Sequence, residues 1–374
     1  MTGIRPSEPG DLLRRLERLT HIESPSRDTT GSERMAGQLA EWWQDAGATV
    51  RFESTEAGVN LVAEVAGSGD PLLLVGHSDT VWPRGTLDGD VPWSIDGDIV
   101  RGPGVYDMKS GLLVMIAALE RLRGRRHRSV RVVIVCDEEV GSPTTQALLR
   151  SCAAGVSGAI GFESPHPDGA LKVGRRGSTR LSLEVQGRAS HAALDPGSGI
   201  SAIDELVDQL LRVRAVVADP ALPSEVLCNV GTIAGGGRAN VVPAQAQAEV
   251  GLRFVDAVAE RRVLDALEVL TPVRAGAVVE TRILSSRPAW RASADDQVLV
   301  DAIAAIGRRI GQEVDARPAS GAGDTNLLGS LGLPTVDGFG PRGGGAHAVT
   351  EHVSLTSLGE RIDLLEAVLA DVSA

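Results

Sequence analysis

Along this chain, apolar runs rich in Val, Ile and Leu alternate with stretches in which apolar residues recur every three to four positions. That is the pattern of an α/β sheet covered by helices on both faces. The second kind of stretch predicts helices over 11–19, 32–45 with Gly47 just beyond, 109–122 and 143–152. Short buried strands are predicted at 72–76 (LLLVG), 130–136 (VRVVIVC) and 158–162 (GAIGF). Each runs into polar residues: His77 and Asp79 after the first, Asp137, Glu138 and Glu139 after the second, Glu163 after the third. An acidic triplet alone reads as a solvated turn. Ligands of open α/β sheets, however, bind beyond the carboxyl ends of the strands, so three polar clusters at three such ends are expected to converge on one crevice.

From Thr179 the order changes. The strand RLSLEVQG, a helix over 200–216, the strands EVLCNVGTI and AQAEVGLRF, a helix near 257–270 and the strand AVVETRIL give βαββαβ, the split βαβ sandwich. The α/β pattern resumes with helices over 296–310 and 358–372. The expected architecture is therefore α/β, with a catalytic domain made of residues 1–175 and 287–374 and a small ferredoxin-like domain, residues 176–286, inserted in it. Hinges are expected near 174–177 and 285–288, with Arg175 and Arg176 as solvated hinge residues.

The 374 residues, 43% of them hydrophobic, suffice for two domains with their own cores. A formal net charge of -12 opposes the counterion release that drives nucleic-acid binding, and 3% aromatic residues leave little to stack bases on. The first ten residues, MTGIRPSEPG, contain no apolar leader segment, and runs such as LLVMIAAL from Leu112 are too short to cross a bilayer. The expectation is a cytoplasmic protein with neither nucleic acid nor membrane as partner. Cys136, Cys152 and Cys228 lie in apolar segments with no C-x-x-C, as buried thiols of a reducing compartment would.

Candidate metal ligands are His77, Asp107 in GPGVYDMKSG, Glu139, Glu163 and His347 in GGGAHAVTEH. Two imidazoles and three carboxylates without a thiolate suit a catalytic zinc site better than a structural one. Three carboxylates against two divalent cations leave one positive charge, which a bridging hydroxide would cancel, and Asp107 could span both ions. Asp79, two positions beyond His77, is placed to accept that histidine's second N–H and fix its tautomer. Glu138 is then left as the general base that takes a proton from water at the metals. His21, His127, His166 and His352 read as structural. The glycine runs GAGD and PRGGGAH lack the Lys-Ser or Lys-Thr of a phosphate loop.

The motifs GHSDTV, GPGVYDMKSG, DEEVGS, FESP, GRASHA, NVVPA and GAHAVTEH, in this order from residue 76 to 352, resemble the co-catalytic zinc exopeptidases and deacylases. That family includes carboxypeptidase G, aminoacylase, acetylornithine deacetylase and succinyl-diaminopimelate desuccinylase. The resemblance implies one zinc on His77 and Glu163, another on Glu139 and His347, Asp107 bridging, and Glu138 as base and then acid, with manganese or cobalt as alternative metals. It implies a homodimer through the inserted domain, in which His191 of GRASHA stabilises the oxyanion in the partner's site. Asn240, Arg253 and Arg287 would hold the substrate's free carboxylate, and a cis peptide would follow Asp107. HSDTVWPRGTL and GPGVYDMKSGL are most similar to the glutamate carboxypeptidase branch, so the expected substrate is a small peptide or N-acyl amino acid. An aminoacylase or N-acyl amino acid deacetylase, an amide-forming acyltransferase and a non-catalytic binding protein are the alternatives.

Overall fold

A computed structural model describes residues 9–372. The stretch read above for a leader therefore falls mostly outside the described residues. The chain divides into two units. One runs to Gly174 and resumes over Ala292–Ala319 and from Gly323 onward; the other comprises Arg175–Arg291 and Ser320–Ala322.

The first unit is built on a six-stranded sheet. At its centre Ser68–His77 lies parallel between Arg128–Val135 and Gly158–Gly161, flanked on one side by the short parallel strand Thr335–Val336. On the other side the antiparallel hairpin Thr49–Thr55 and Gly58–Val65 closes the edge. Because side chains alternate across a strand, Leu73, Val75, Val133 and Val135 pack on helices Gln146–Cys152 and Thr325–Ser330 through Leu148, Leu149, Leu327 and Leu328. The intervening Leu72, Leu74, Val132 and Ile134 face the other way and are as deeply buried. Both faces are thus covered, and the nearly all-apolar central strands follow from that.

The predicted helices form at Pro9–Thr20, Thr29–Asp45, Ser110–Leu122, Ala294–Arg309 and Leu355–Ala370. The helix expected from residue 143 begins only at Gln146, because Thr144 and Thr145 use their hydroxyls on the Asp137 carboxylate. Four short strands, Gly343–Gly344, His352–Ser354, Ile99–Arg101 and Ser94–Asp96, make a further small sheet of this unit.

The second unit has the order strand, helix, strand, strand, helix, strand. Gly177–Gln186, Val226–Gly235, Gln245–Phe254 and Val278–Arg287 form an antiparallel sheet in which Val226–Gly235 is an edge. Helices Ala202–Val217 and Ala257–Glu268 bury one sheet face, with Leu183, Val250, Leu252 and Phe254 meeting Leu206, Val213, Val263 and Leu267. The opposite sheet face is polar and more open. Arg175 is not a solvated hinge residue. It is buried, exchanges backbone hydrogen bonds with Trp290 and donates from Nε to the Gly321 carbonyl at 2.6 Å.

No described helix is long and apolar enough to cross a membrane.

Candidate metal centre

The three parallel strands of the first unit stop level with one another, since Leu74 pairs with both Val132 and Ile160. His77 ends the middle strand, Glu138 and Glu139 occupy one turn after the second, and Glu163 follows the third by two residues. His77 Nε2 lies 3.1 Å from Asp107 Oδ1 and 3.5 Å from Glu163 Oε1. His347 Nε2 lies 3.3 Å from Asp107 Oδ2 and 3.2 Å from Glu139 Oε2. Each Asp107 oxygen therefore faces a different histidine. Ligand atoms of His77, Asp107 and Glu139 lie within 4.8 Å of one another, as do those of His77, Glu138 and Glu163. The Asp107–Met108 peptide is cis.

The charge balance of this cluster decides its chemistry. Burial by itself would lower the His77 pKa, but the Asp107 and Asp79 carboxylates, with Glu163 and Glu138 behind them, raise it well above the ordinary imidazole value. Hydrogen bonds to Asp107 and Glu139 push His347 up to about 10. Burial raises Glu139, whereas Asp107, between the two rings, titrates below its usual range despite its burial. Without a cation, the carboxylates thus hold protons on both imidazoles; a divalent cation would replace those protons with positive charge of its own. The residues fit such an ion by a second observation. Glu139 Oε1 is buried and has no hydrogen-bond partner among the described residues, a costly arrangement for a carboxylate unless something binds it.

Other acids nearby are satisfied by the protein. His77 Nδ1 is 2.9 Å from the Asp79 backbone carbonyl and 3.4 Å from the Asp79 carboxylate, so the carbonyl is the nearer acceptor and Nε2 is left for the cluster. The Asp79 carboxylate itself accepts from the Glu138 and Glu139 backbone N–H groups and from the Ser26 hydroxyl, which orients the acidic turn. Asp137, fully buried, accepts from Thr144 N and from the Thr144 and Thr145 hydroxyls at 2.5–2.8 Å. Its role is structural. Sequence reasoning passed over Glu351, which is fully buried four residues beyond His347 and takes four hydrogen bonds. Its presence inside GAHAVTEH as an acid without a role was the available signal.

The remaining predicted residues lie in the second unit. The segment carrying His191 pairs with that carrying Asn240, through Ala192 N to Asn240 O at 3.0 Å and a bridge between His191 and Val241. His191 is exposed, and its Nδ1 accepts from the backbone N–H groups of Ala193 and Leu194. The neutral ring therefore carries its proton on Nε2, free to donate outward. Arg253 and Arg287 both sit across from Ser178 on neighbouring strands, on the sheet face away from the helices. His191 and Asn240 lie past the other end of strand Gly177–Gln186. From Ser178 to Gln186 that strand covers about 26 Å at ~3.3 Å per residue. Within one chain, Asn240 is thus separated from Arg253 and Arg287 by about the length of that strand, ~26 Å.

Residues 73–371 match the family described as peptidase family M20/M25/M40. Carboxypeptidase G2 of a Pseudomonas species is 28% identical over 97% of this chain and 89% of its own length. A succinyl-diaminopimelate desuccinylase of Rhizorhabdus wittichii is 30% identical over 98% of each. In fold, the chain resembles aminopeptidase PepT of Bacillus cereus with a TM-score of 0.77 at 21% identity, over 98% of this chain and 99% of that one.

Proposed function

The chain belongs to peptidase family M20/M25/M40 and is a hydrolase, and we propose that it cleaves the amide joining an acyl or peptidyl group to a C-terminal amino acid at a site holding two zinc ions. The observation that carries this reading is the Asp107 carboxylate, with one oxygen 3.1 Å from His77 Nε2 and the other 3.3 Å from His347 Nε2. His77 and Glu163 would complete one ion's ligands and Glu139 and His347 the other's. When bound, such ions acidify water and polarise a carbonyl oxygen.

The protein's own groups do the rest. Glu138, whose carboxylate lies within reach of the ligand atoms of His77 and Glu163, takes the proton of the attacking water and returns it to the departing amide nitrogen. Its backbone N–H is tied to Asp79, which holds the turn while the side chain works. His191, with its proton on Nε2, donates to the carbonyl oxygen as negative charge grows there. Arg253 and Arg287 are suited to grip the substrate carboxylate through their planar donors.

Because Asn240 accompanies His191 and both arginines lie at the far end of the sheet, we assign the two pairs to different chains of a homodimer. Support comes from an apolar stripe on helix Ala202–Val217, where Ile203, Val207 and Leu211 recur at four-residue spacing and are 36%, 51% and 56% exposed. The neighbouring edge strand Val226–Gly235 also leaves Leu227 and Ile233 exposed. A second copy covering these surfaces would satisfy both an apolar face and an open strand edge. The free thiols Cys136 and Cys152, both buried, suit the cytoplasm.

The test is a panel of N-acyl amino acids and dipeptides, each as free acid and as C-terminal amide, assayed with metal-loaded and metal-stripped protein. The free acids are expected to be cleaved only by the loaded protein, and their amides poorly. Equal kcat/KM for acid and amide overturns the carboxylate clamp, and full turnover by stripped protein overturns the metal site.

A further inference from the structure

The Glu351 carboxylate is fully buried and joins two loops that are 244 to 247 residues apart in sequence for its backbone contacts. Its Oε1 accepts from the backbone N–H groups of Tyr106 at 2.9 Å and Asp107 at 3.1 Å. Its Oε2 accepts from Gly104 N at 2.9 Å and from the Trp82 indole at 2.6 Å. The two loops leave adjacent strands, since His352 pairs with Arg101 in the small sheet. One loop carries Asp107 and the other carries His347, at positive φ in a tight turn. Gly345 also has positive φ there, and a Cβ on it would meet the Thr350 backbone at 2.6 Å. The turn is closed by Ala348 N to Gly345 O and Glu351 N to Ala348 O, both at 2.9 Å.

We propose that Glu351 is a positioning residue: it locks the Asp107 loop onto the His347 turn and so sets the separation of Asp107 and His347 at which one cation is shared. This rests on the two-metal reading above. The carboxylate binds neither the cation nor the substrate in this account. It acts because a backbone held at the N–H groups of Gly104, Tyr106 and Asp107 cannot swing the Asp107 side chain away from the histidines. A carboxylate serves where a carboxamide does not. Four N–H donors converge on two oxygens, and whichever way a carboxamide is turned, its NH2 faces two of those donors, replacing two hydrogen bonds by two repulsive contacts. Outer partners that orient metal ligands in this way commonly change metal affinity by about 10- to 100-fold when removed.

The experiment titrates Zn2+ into metal-stripped full-length protein by calorimetry and records the visible absorption of the Co2+-loaded form, for wild type, Glu351→Gln, Trp82→Phe and Glu205→Gln. Glu205 is a buried, hydrogen-bonded carboxylate of the second unit, so its variant controls for general destabilisation. The expected result is two Zn2+ in the wild type, at least tenfold weaker binding of one ion in Glu351→Gln with an altered Co2+ band, and about threefold weakening in Trp82→Phe, which removes a single donor. Glu205→Gln should match the wild type in both readouts. If the wild type binds fewer than two ions, the two-metal reading falls and this inference with it. If the wild type binds two and Glu351→Gln has the same affinities and spectrum, the positioning role alone is overturned. Equal weakening in Glu205→Gln overturns it as well. If Glu351→Gln does not fold, Trp82→Phe decides: weaker binding with a shifted Co2+ band supports the role, and unchanged binding ends it.

Discussion

The candidate functional residues of the two units stand in opposite surroundings. In the first, the carboxylates of Asp107, Glu138, Glu139 and Glu163 crowd around the ends of three parallel strands, with His77 1% exposed and Glu138 8% exposed. In the second, His191 is open to solvent and Arg253 and Arg287 lie on the open sheet face. Charge taken out of water must be balanced. In the first unit the balance is incomplete among the protein's own groups, as Glu139 Oε1 and the raised histidine pKa values indicate, and a cation would complete it. In the second unit His191 is exposed and Arg253 and Arg287 are part-buried, and the unbalanced feature is apolar: the exposed Ile203, Val207 and Leu211 stripe. The proposed second copy would cover it. On the proposed function, ions would balance the one unit and a partner the other.

The sharpest break in that comparison is between adjacent acids. Glu138→Gln is expected to keep close to two metal ions per subunit while turnover falls by about two orders of magnitude or more, the usual scale for losing a general acid-base. Glu139→Gln is expected to lose metal instead. Elemental analysis alongside steady-state kinetics separates them, and metal loss in the first with retention in the second would reverse the two roles.

The partner side of the comparison is tested by mixing two inactive variants. His191→Ala lacks the proposed oxyanion donor and Glu138→Ala lacks the proposed base. In a mixed dimer, the site on the His191→Ala chain has its own Glu138 and receives His191 from its neighbour, while the other site lacks both. Random exchange makes half the dimers mixed and restores half of their sites, so roughly one quarter of wild-type activity should return. Exchange is first verified with tagged wild-type subunits. A mixture as inactive as its parents, with exchange verified, places His191 within its own chain's function or outside catalysis.

Much of this was legible in the sequence because it depends on local pattern. The central strands announced themselves as apolar runs since both of their faces are buried, and the polar residues after them converge because parallel neighbours end together. The hairpin Thr49–Thr55 and Gly58–Val65 went unread for the opposite reason: its outer strand, TVRFEST, has no buried residue and so carries no alternation. Strands of two or three residues, such as His352–Ser354, are too short to show a period. Among the acids, residue type alone could not separate Asp137 and Glu351, whose lone pairs are filled by Thr144, Thr145 and backbone N–H groups, from Glu139, which has an oxygen to spare. Nor could the motif order reveal that Asn240 and Arg287 lie at opposite ends of one strand's length, because that separation arises from strand pairing over long stretches of chain.

The smallest expected effect concerns a carboxylate that needs neither ion nor partner. Glu205, fully buried, accepts from Gln209 Nε2 at 2.7 Å and from the Val273 and Arg274 backbone N–H groups at 2.8 Å, with the Arg274 guanidinium 3.5 Å away. Burial alone would raise its pKa, but these donors outweigh it and the net shift is downward. A carboxylate whose folded-state pKa is depressed stabilises the fold above its unfolded pKa, near 4.3, and that contribution is lost as pH falls through the lower folded value. Glu205→Gln is therefore expected to cost the second unit about 2 kcal/mol near pH 7, the scale of hydrogen bonds to a charged group. The difference from wild type should be flat from neutral pH down to about 5 and shrink below about 4. Thermal unfolding of metal-stripped protein across that range, followed by a probe in the second unit, measures it. A difference that grows on acidification would mean that Glu205 is protonated in the folded protein, and that this buried acid is held neutral by its surroundings.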